Sequence, residues 1–350
     1  MSYEIEISVL SERYCTRPFE VGPGISVRCG SRRRSECPSC ASLWAGDSSR
    51  LARSGVYDAD GQPVQGFRFF FITLSAPSFG AVHRVPKWEK DRGQRCRCGG
   101  AHESADSQFR GIPLNPDVYD YVGQVRWHQA LGRLWNATVT AMRRVAPDLE
   151  FFRVYEAQAR LALHAHVIVR VPSICALDAS ALGTAARRAS AFHPDTGERV
   201  SWGQEGVSDR EILPRHRDEP EVMPDASTSI ARTLAYTLKT VVSYSLKDLG
   251  HGVAGEDISP QRRRFVFELA TAALSTQCPR CPSEGVARCK SRAHRQHGFS
   301  GHVLALSRQT SARTGWSFSG LTRRRLREER QAWILANYPA STRLGLEPSH

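Results

Sequence analysis

Two histidines flank one small residue in Leu163-His164-Ala165-His166-Val167-Ile168-Val169. The apolar, β-branched run that follows reads as a strand. Side chains two apart on a strand share a face, so His164 and His166 stand side by side, backed by residues that belong in a core. Paired imidazoles suit a divalent metal when a carboxylate or amide completes the set. A bare His-x-His is more often structural, so the neighbouring segments decide. Residues 150–158, Glu-Phe-Phe-Arg-Val-Tyr-Glu-Ala-Gln, read as a second strand, and a short turn near 159–162 makes an antiparallel hairpin of the two. Glu156 and Gln158 share one face of that strand, and either is a candidate third ligand. Buried charge needs a partner, and a metal supplies one.

A second chemical stretch spans residues 227–250. Ser and Thr can cap it, Gly250 can stop it, and Ile230, Leu234, Leu238 and Val241 set an apolar stripe at helical spacing. It carries Tyr-x-x-Lys twice, as Tyr236/Lys239 and Tyr244/Lys247. At about 100° per residue, Tyr244 falls roughly 75° from the centre of the stripe and Tyr236 roughly 155° away. Tyr244 therefore borders the face that packs on the sheet, with Lys247 as its i+3 neighbour. Tyr236 points outward.

The chain has ten cysteines and no signal-peptide pattern at its N-terminus, so a cytoplasmic home is expected and disulfides are not. Cys37-Pro-Ser-Cys40 is a thiolate pair of the kind that forms half of a tetrahedral zinc site. Cys29 lies upstream, and Cys15 is the candidate fourth ligand. Cys278-Pro-Arg-Cys281, with Cys289 and His294 and with His297 and His302 nearby, makes a second zinc candidate. Cys96, Cys98 and His102 match common zinc spacings poorly and stay open between a metal site and free thiols.

The net charge is +13, carried by 43 Arg against 5 Lys. Arginine forks match phosphate oxygens, so a polyanionic partner is expected. Arg32, Arg33 and Arg34 in the N-terminal loop, and Arg323, Arg324 and Arg325 in the dense C-terminal run, are the candidate DNA contacts. A purely structural zinc staple at the N-terminus is not separable from a DNA-touching one. No apolar run reaches the ~18 residues of a membrane span.

The elements that must position these groups follow from periodicity. Residues 66–75 read as an aromatic core strand ended by Ala76-Pro77. Residues 117–146 read as a core-packing helix, with Asn115 or Asp117 as cap. Residues 178–192 are alanine-rich and helical, 198–208 read as a further strand, and 209–226 as a mobile connection. The expected fold is α+β: a central antiparallel sheet from strands near 66–75, 150–158, 162–170 and 198–208, covered by helices 117–146 and 227–249, with zinc-stapled appendages near both termini.

Together these pieces resemble the HUH-type rolling-circle replication initiators, above all the RepSA-like initiators of actinobacterial plasmids and integrative elements. Phe71-Ile-Thr-Leu-Ser-Ala-Pro-Ser-Phe-Gly80, followed by Val82-His83, is similar to that family's first motif. Glu156-x-Gln158-x-Arg160-x3-His164-x-His166 is similar to its metal motif, and the Tyr-x-x-Lys helix to its nucleophile motif. Gly298-Phe-Ser-Gly-His302, then Ser307-Arg308 and an arginine-rich helix, is similar to its C-terminal region. The family's helix reads Tyr-x-x-Lys-Tyr-x-x-Lys, whereas the two units here are eight apart. Val242-Ser-Tyr-Ser-Leu-Lys-Asp-Leu-Gly250 fits the family's downstream edge and again favours Tyr244.

The resemblance implies an HUH endonuclease sheet and three regions: a Cys-rich zinc module over 1–60, a nicking domain over 61–255, and a Cys/His- and Arg-rich DNA-binding region over 256–350. It implies catalytic Mg²⁺ or Mn²⁺ on His164, His166 and Glu156 or Gln158, besides structural Zn²⁺. It implies a tyrosine that nicks one origin strand, leaving a 5′-phosphotyrosyl link and a 3′-OH primer, with Lys247 steadying the developing charge. The implied partners are origin and single-stranded DNA with a host helicase and polymerase, in a bacterial cytoplasm and without a membrane. A relaxase or HUH transposase would use the same chemistry. A non-enzymatic zinc-containing DNA-binding regulator would account for the charge and the cysteines, but not for the His-x-His strand and the Tyr-x-x-Lys helix.

Overall fold

The computed structural model describes residues 15–337 apart from 23–24, 33, 35, 59, 87–94, 205–207, 213–258, 283–284 and 287–288. A small hairpin, β1 (Phe19–Gly22) and β2 (Ile25–Val27), precedes helix α1 (Pro38–Arg53). The centre is a five-stranded sheet of β3 (Phe67–Ser75), β4 (Glu150–Ala157), β5 (Leu163–Pro172), β8 (Ser208–Ile212) and β9 (Leu304–Leu306). Its order is β8-β3-β5-β4-β9, and every neighbouring pair is antiparallel. Helices α2 (Tyr121–Val145), α3 (Ala179–Arg188), α4 (Pro260–Ser275) and α5 (Arg323–Asn337) are the other described α-helices, with a separate two-stranded pair of β6 (Ser190–Phe192) and β7 (Arg199–Ser201). Mixed α/β architecture around a central antiparallel sheet is therefore observed. Among the described residues, no helix is long and apolar enough to cross a membrane.

The middle strands form where the sequence is aromatic and β-branched. Phe69, Phe70, Ile72 and Leu74 of β3, and Val167, Ile168, Val169 and Val171 of β5, are all buried. One sheet face packs on α2, where the Trp135 and Phe151 rings lie 5.0 Å apart and the Arg153 guanidinium sits 5.1 Å over Trp135. At one end of the other face, Phe152 meets Trp316 with ring centroids 6.0 Å apart. The hydrophobic core is continuous from Leu51 and Val56 through the sheet to Trp316, Leu321 and Leu326.

Three sequence expectations are corrected, one of them because residues 209–212, expected within a mobile connection, pair with β3. Residues 198–208 are not one strand of the central sheet: Arg199–Ser201 pairs with Ser190–Phe192, and the sheet's edge is Ser208–Ile212. The break follows from residues 202 and 203. Trp202 turns inward to donate to Thr138 Oγ1 at 2.8 Å, and Gly203 N donates to the Ser75 carbonyl at 2.8 Å, where a Cβ would lie 2.7 Å from the Ala76 carbonyl oxygen. The helix expected from 117 begins at Tyr121, capped by Asp120, whose carboxylate accepts from Gly123 N at 2.7 Å. Asn115 instead caps a 3₁₀ turn over Pro116–Val118. The helix expected over 227–249 lies outside the described residues.

Helix α2 is tied to the sheet by a buried histidine. His128 Nδ1 donates to the His297 carbonyl at 2.7 Å, and its Nε2 accepts from Leu163 N at 3.1 Å. Both ring nitrogens are thus used by a neutral imidazole. Burial, first of all, pushes its pKa down to about 3. The unfolded chain binds this proton near pH 6.5 and the folded chain does not. The stabilisation is therefore complete above about 6.5 and is lost as pH falls toward 3, with a slope of about 1.4 kcal/mol per pH unit. In urea titrations, the stability deficit of His128→Gln relative to wild type is expected to be largest at pH 7 and to shrink steadily by pH 4. A deficit independent of pH would contradict this account.

Candidate metal centre

Strand pairing assembles the site. The register sets Glu156 of β4 opposite His164 of β5, and sets Ser75 and Thr73 of β3 opposite His164 and His166. The two-residue period then puts all five side chains on one face. Glu156 Oε2 lies 2.9 Å from His164 Nε2 and 3.1 Å from His166 Nε2, and the two imidazole centroids are 4.4 Å apart. The side chains of His164, His166 and Glu156 keep 16, 11 and 8% exposure, so the carboxylate is largely dehydrated while the imidazoles stay reachable. Thr73 Oγ1 lies 3.3 Å from His166 Nδ1, and Phe71 stacks on the same ring at 5.6 Å. With Nδ1–H donating to Thr73, the Nε2 lone pair of His166 faces the ligand position.

These donors fit a divalent ion. Adjacent ligands of an octahedral ion bound at about 2.1 Å lie about 3 Å apart, which agrees with the 2.9 and 3.1 Å separations. Gln158 follows the end of β4. Its Oε1 accepts from Arg160 Nε at 3.0 Å and its amide nitrogen lies 3.5 Å from Ser75 Oγ, so it borders the triad. Arg160 donates to the Ala76 and Pro77 carbonyls at 2.9 and 2.8 Å, tying the β4–β5 turn to the exit of β3. Tyr236, Lys239, Tyr244 and Lys247 lie outside the described residues.

Both expected cysteine sets converge. The ligand atoms of Cys15, Cys29, Cys37 and Cys40 all lie within 4.8 Å of one another, as do those of Cys278, Cys281, Cys289 and His294. A tetrahedral ion with bonds of about 2.3 Å spaces its sulfurs about 3.8 Å apart. Here Cys29–Cys40, Cys278–Cys281 and Cys278–Cys289 are 3.7 Å apart and Cys15–Cys37 3.9 Å. His294 Nε2 lies 3.3 Å from Cys281 Sγ, while its Nδ1 donates to the Ala273 carbonyl at 2.7 Å, which leaves Nε2 as the ligand nitrogen. Burial opposes ionisation of Cys37 and Cys278. Hydrogen bonds, led by the backbone amides of Cys40 and Arg280, outweigh it and bring the two thiols to about 6 and about 7. His297 and His302 stay outside the set: the His297 carbonyl serves His128, and the His302 carbonyl accepts from Arg153 at 2.8 Å. A further set joins Cys96, Cys98 and His102 to His83. Spacing alone did not reveal His83, because it sits in the segment leaving β3, far upstream of its partners.

Two of the six expected arginine contacts, Arg32 and Arg323, meet at α1. The guanidinium of Arg32 lies 5.6 Å and that of Arg323 4.7 Å from the Trp44 ring, which brings the two ends of the chain to one aromatic platform. Arg324 pairs with Glu328 at 2.7 Å and Arg325 with Glu329 at 3.4 Å. Arg34 is exposed, and Arg33 lies outside the described residues.

Among the described residues, sheet and clusters define a mixed α/β protein with one carboxylate–imidazole triad and three cysteine or cysteine–histidine sets that could hold a metal ion. The chain belongs to the RepSA family of replication initiator proteins: the family model described as replication initiator protein, pSAM2, matches residues 12–348. It is also similar to a replication initiator protein of Streptomyces ambofaciens, 37% identical over 174 residues. That match covers 45% of this chain and 37% of the relative's length. No solved structure matches it significantly.

Mn²⁺ affinity, read by water-proton relaxation, is expected to fall at least tenfold in Glu156→Ala. Thr73→Val, which removes only the partner of His166 Nδ1, is expected to weaken it on the order of tenfold. Unchanged affinity in Glu156→Ala would exclude the triad as the binding site.

Proposed function

We propose that this protein initiates rolling-circle replication of a plasmid or integrative element by nicking one strand at its origin through a tyrosine. The observation that carries the reading is the Glu156–His164–His166 triad, held on paired strands in a chain of a replication initiator family. Glu156, His164 and His166 would hold a divalent ion, Mg²⁺ or Mn²⁺, which would supply Lewis-acid polarisation of the scissile phosphate. Glu156 offsets the ion's charge, and Thr73 keeps the His166 tautomer that leaves Nε2 free.

In this reading the Tyr244 oxygen attacks phosphorus, and the bond from phosphorus to the 3′ oxygen breaks. The phenol proton leaves, and the departing oxygen takes up a proton as the 3′-OH. Tyrosine ionises near pH 10, so Lys247 steadies the developing negative charge. One phosphodiester becomes a 5′-phosphotyrosyl ester, so the bond energy is kept and rejoining by a 3′-OH needs no nucleotide hydrolysis. The free 3′-OH primes synthesis by a host polymerase behind a host helicase. Tyr236 with Lys239 is the second tyrosine pair on the same segment. Zinc in the Cys15/Cys29/Cys37/Cys40 and Cys278/Cys281/Cys289/His294 sets, and phosphate contacts from Arg32, Arg33, Arg34, Arg323, Arg324 and Arg325, serve origin binding. Phosphate contacts fix register and not sequence, so base reading falls to other groups. A relaxase or transposase would share the chemistry; the family assignment favours replication.

The test is incubation of the full chain with supercoiled DNA carrying its origin, in Mn²⁺ or in EDTA, followed by denaturing gels and peptide mapping. The expected result is a metal-dependent nick with DNA linked to Tyr244, lost in Tyr244→Phe and kept in Tyr236→Phe. Linkage at Tyr236 would overturn the choice of nucleophile. Tight binding without a nick would favour a zinc-containing DNA-binding regulator.

A further inference from the structure

The segment between β3 and α2 carries a fourth ligand set of its own. The ligand atoms of His83, Cys96, Cys98 and His102 all lie within 4.8 Å of one another. Cys98 Sγ is 3.4 Å and His83 Nδ1 3.1 Å from His102 Nε2, and Cys96 Sγ is 3.8 Å from His83 Nδ1. Bonds of about 2.0–2.3 Å at a tetrahedral ion space neighbouring ligands by roughly 3.3–3.8 Å; the Cys98–His102 and Cys96–His83 separations fall in that range, and the 3.1 Å between the two imidazole nitrogens lies just below it. Without a cation between them, two facing imidazole nitrogens must share one proton. The outer groups are also arranged as a metal site requires. Asp106 Oδ2 lies 3.5 Å from His102 Nδ1, the nitrogen not facing the cluster. The Arg84 amide donates to Cys96 Sγ at 3.4 Å, and Cys96 N and Gly99 N close a tight turn on Gly100 O and Cys96 O. A carboxylate on the far imidazole nitrogen and an amide on the sulfur are the usual supports of ligand orientation and basicity.

Through His83 the cluster is linked to the hairpin that carries the triad. His83 pairs with the returning chain, donating to the Ile112 carbonyl at 2.8 Å and accepting from Gly111 N at 3.0 Å. Gly111 has φ of +74°, and a Cβ there would lie 2.5 Å from the backbone of Ala159 and Arg160. The segment held by the cluster therefore seats directly on the β4–β5 turn, which sets Glu156 against His164.

We propose that His83, Cys96, Cys98 and His102 bind a structural zinc ion that clamps the β3–α2 segment onto the β4–β5 turn. Two thiolates and two imidazoles form a closed, soft, tetrahedral set, which suits zinc and leaves no open position for catalysis. The inference is independent of whether the protein nicks DNA.

The test begins with metal content of the purified full chain. Cys96→Ser/Cys98→Ser is expected to lose one zinc equivalent relative to wild type, and His102→Cys, which keeps four ligands, to retain it. Hydrogen exchange in the peptide spanning residues 158–163 is expected to rise in the serine double variant and not in His102→Cys. Cadmium-113 spectra of the substituted wild-type chain need no variant to fold, and are expected to show a resonance in the range of two sulfur and two nitrogen ligands. An unchanged zinc count in the double variant, or the absence of that resonance, would overturn the site. Loss of zinc with unchanged exchange at 158–163 would overturn the clamp.

Discussion

A one-residue slip of β5 against β4 would carry His164 and His166 to the α2 side of the sheet and leave Glu156 without a partner. The triad therefore depends on pairing register, and charge marks that register at both ends. Glu156 stands opposite His164 at one end of the β4–β5 pair, and Glu150 stands opposite Arg170 at the other. Arg170 is 1% exposed. Its guanidinium donates to the carbonyls of Gly55, Trp316 and Gly315 at 2.8, 2.8 and 2.7 Å and lies 3.7 Å from the Phe318 ring centroid. A slip would bury both charges without these partners, at a cost of several kcal/mol. The structural end of the strand thus disciplines the end that carries the chemistry.

The hairpin, the core strand before it and the long helix were legible because their patterns are local. His-x-His followed by a β-branched run, and a run of aromatics ended by Ala76-Pro77, leave little choice of face or boundary. The ligand sets at the two ends were legible for the same reason, since a two-residue cysteine spacing declares itself. What escaped is what tertiary contact decides. β9 is three residues long and exists only because β4 offers it an edge. The strand expected at 198–208 is broken by Trp202 reaching a hydroxyl on α2. His128 has the look of any helix residue until both of its ring nitrogens find backbone partners. His83 becomes a ligand candidate only when the chain returns to it.

The cysteine and histidine clusters lie where the fold has little other means of ordering its chain. Long connections join the strands, and the described residues of 76–120 contain no regular structure beyond two short 3₁₀ turns, Ser104–Phe109 and Pro116–Val118. A metal-sized cluster of cysteine and histidine orders such a segment without demanding an apolar core. The set within 15–40 sits at the start of α1, whose other end packs with Trp316, and the set within 278–294 reaches back to α4 through His294 and Ala273. Arg32 and Arg323 then approach the same Trp44 ring from opposite ends of the sequence. Leu51 and Val56 from one end, and Trp316, Leu321 and Leu326 from the other, share one hydrophobic core with the central sheet.

The arginine excess has two uses that composition cannot separate. Arg28, Arg153 and Arg170 are 9, 4 and 1% exposed. They serve the interior, where planar forks bridge carbonyls and lie over rings. Arg153, for example, donates to the His302 carbonyl at 2.8 Å and lies 3.6 Å from the Tyr155 ring centroid. Others are matched by acids on the surface, as Arg50 is with Glu329 and Arg68 with Glu211 at 2.8 and 2.7 Å. The charge offered to a polyanion is thus smaller and more localised than +13 suggests. Of the arginines singled out near the two ends, Arg34, Arg324 and Arg325 are exposed, whereas Arg32 and Arg323 beside Trp44 are half-buried. Arginine in place of lysine is intelligible on both counts. Arg170 holds the hairpin register from inside, and on the surface the same rigid fork pairs with carboxylates, as Arg68 does with Glu211.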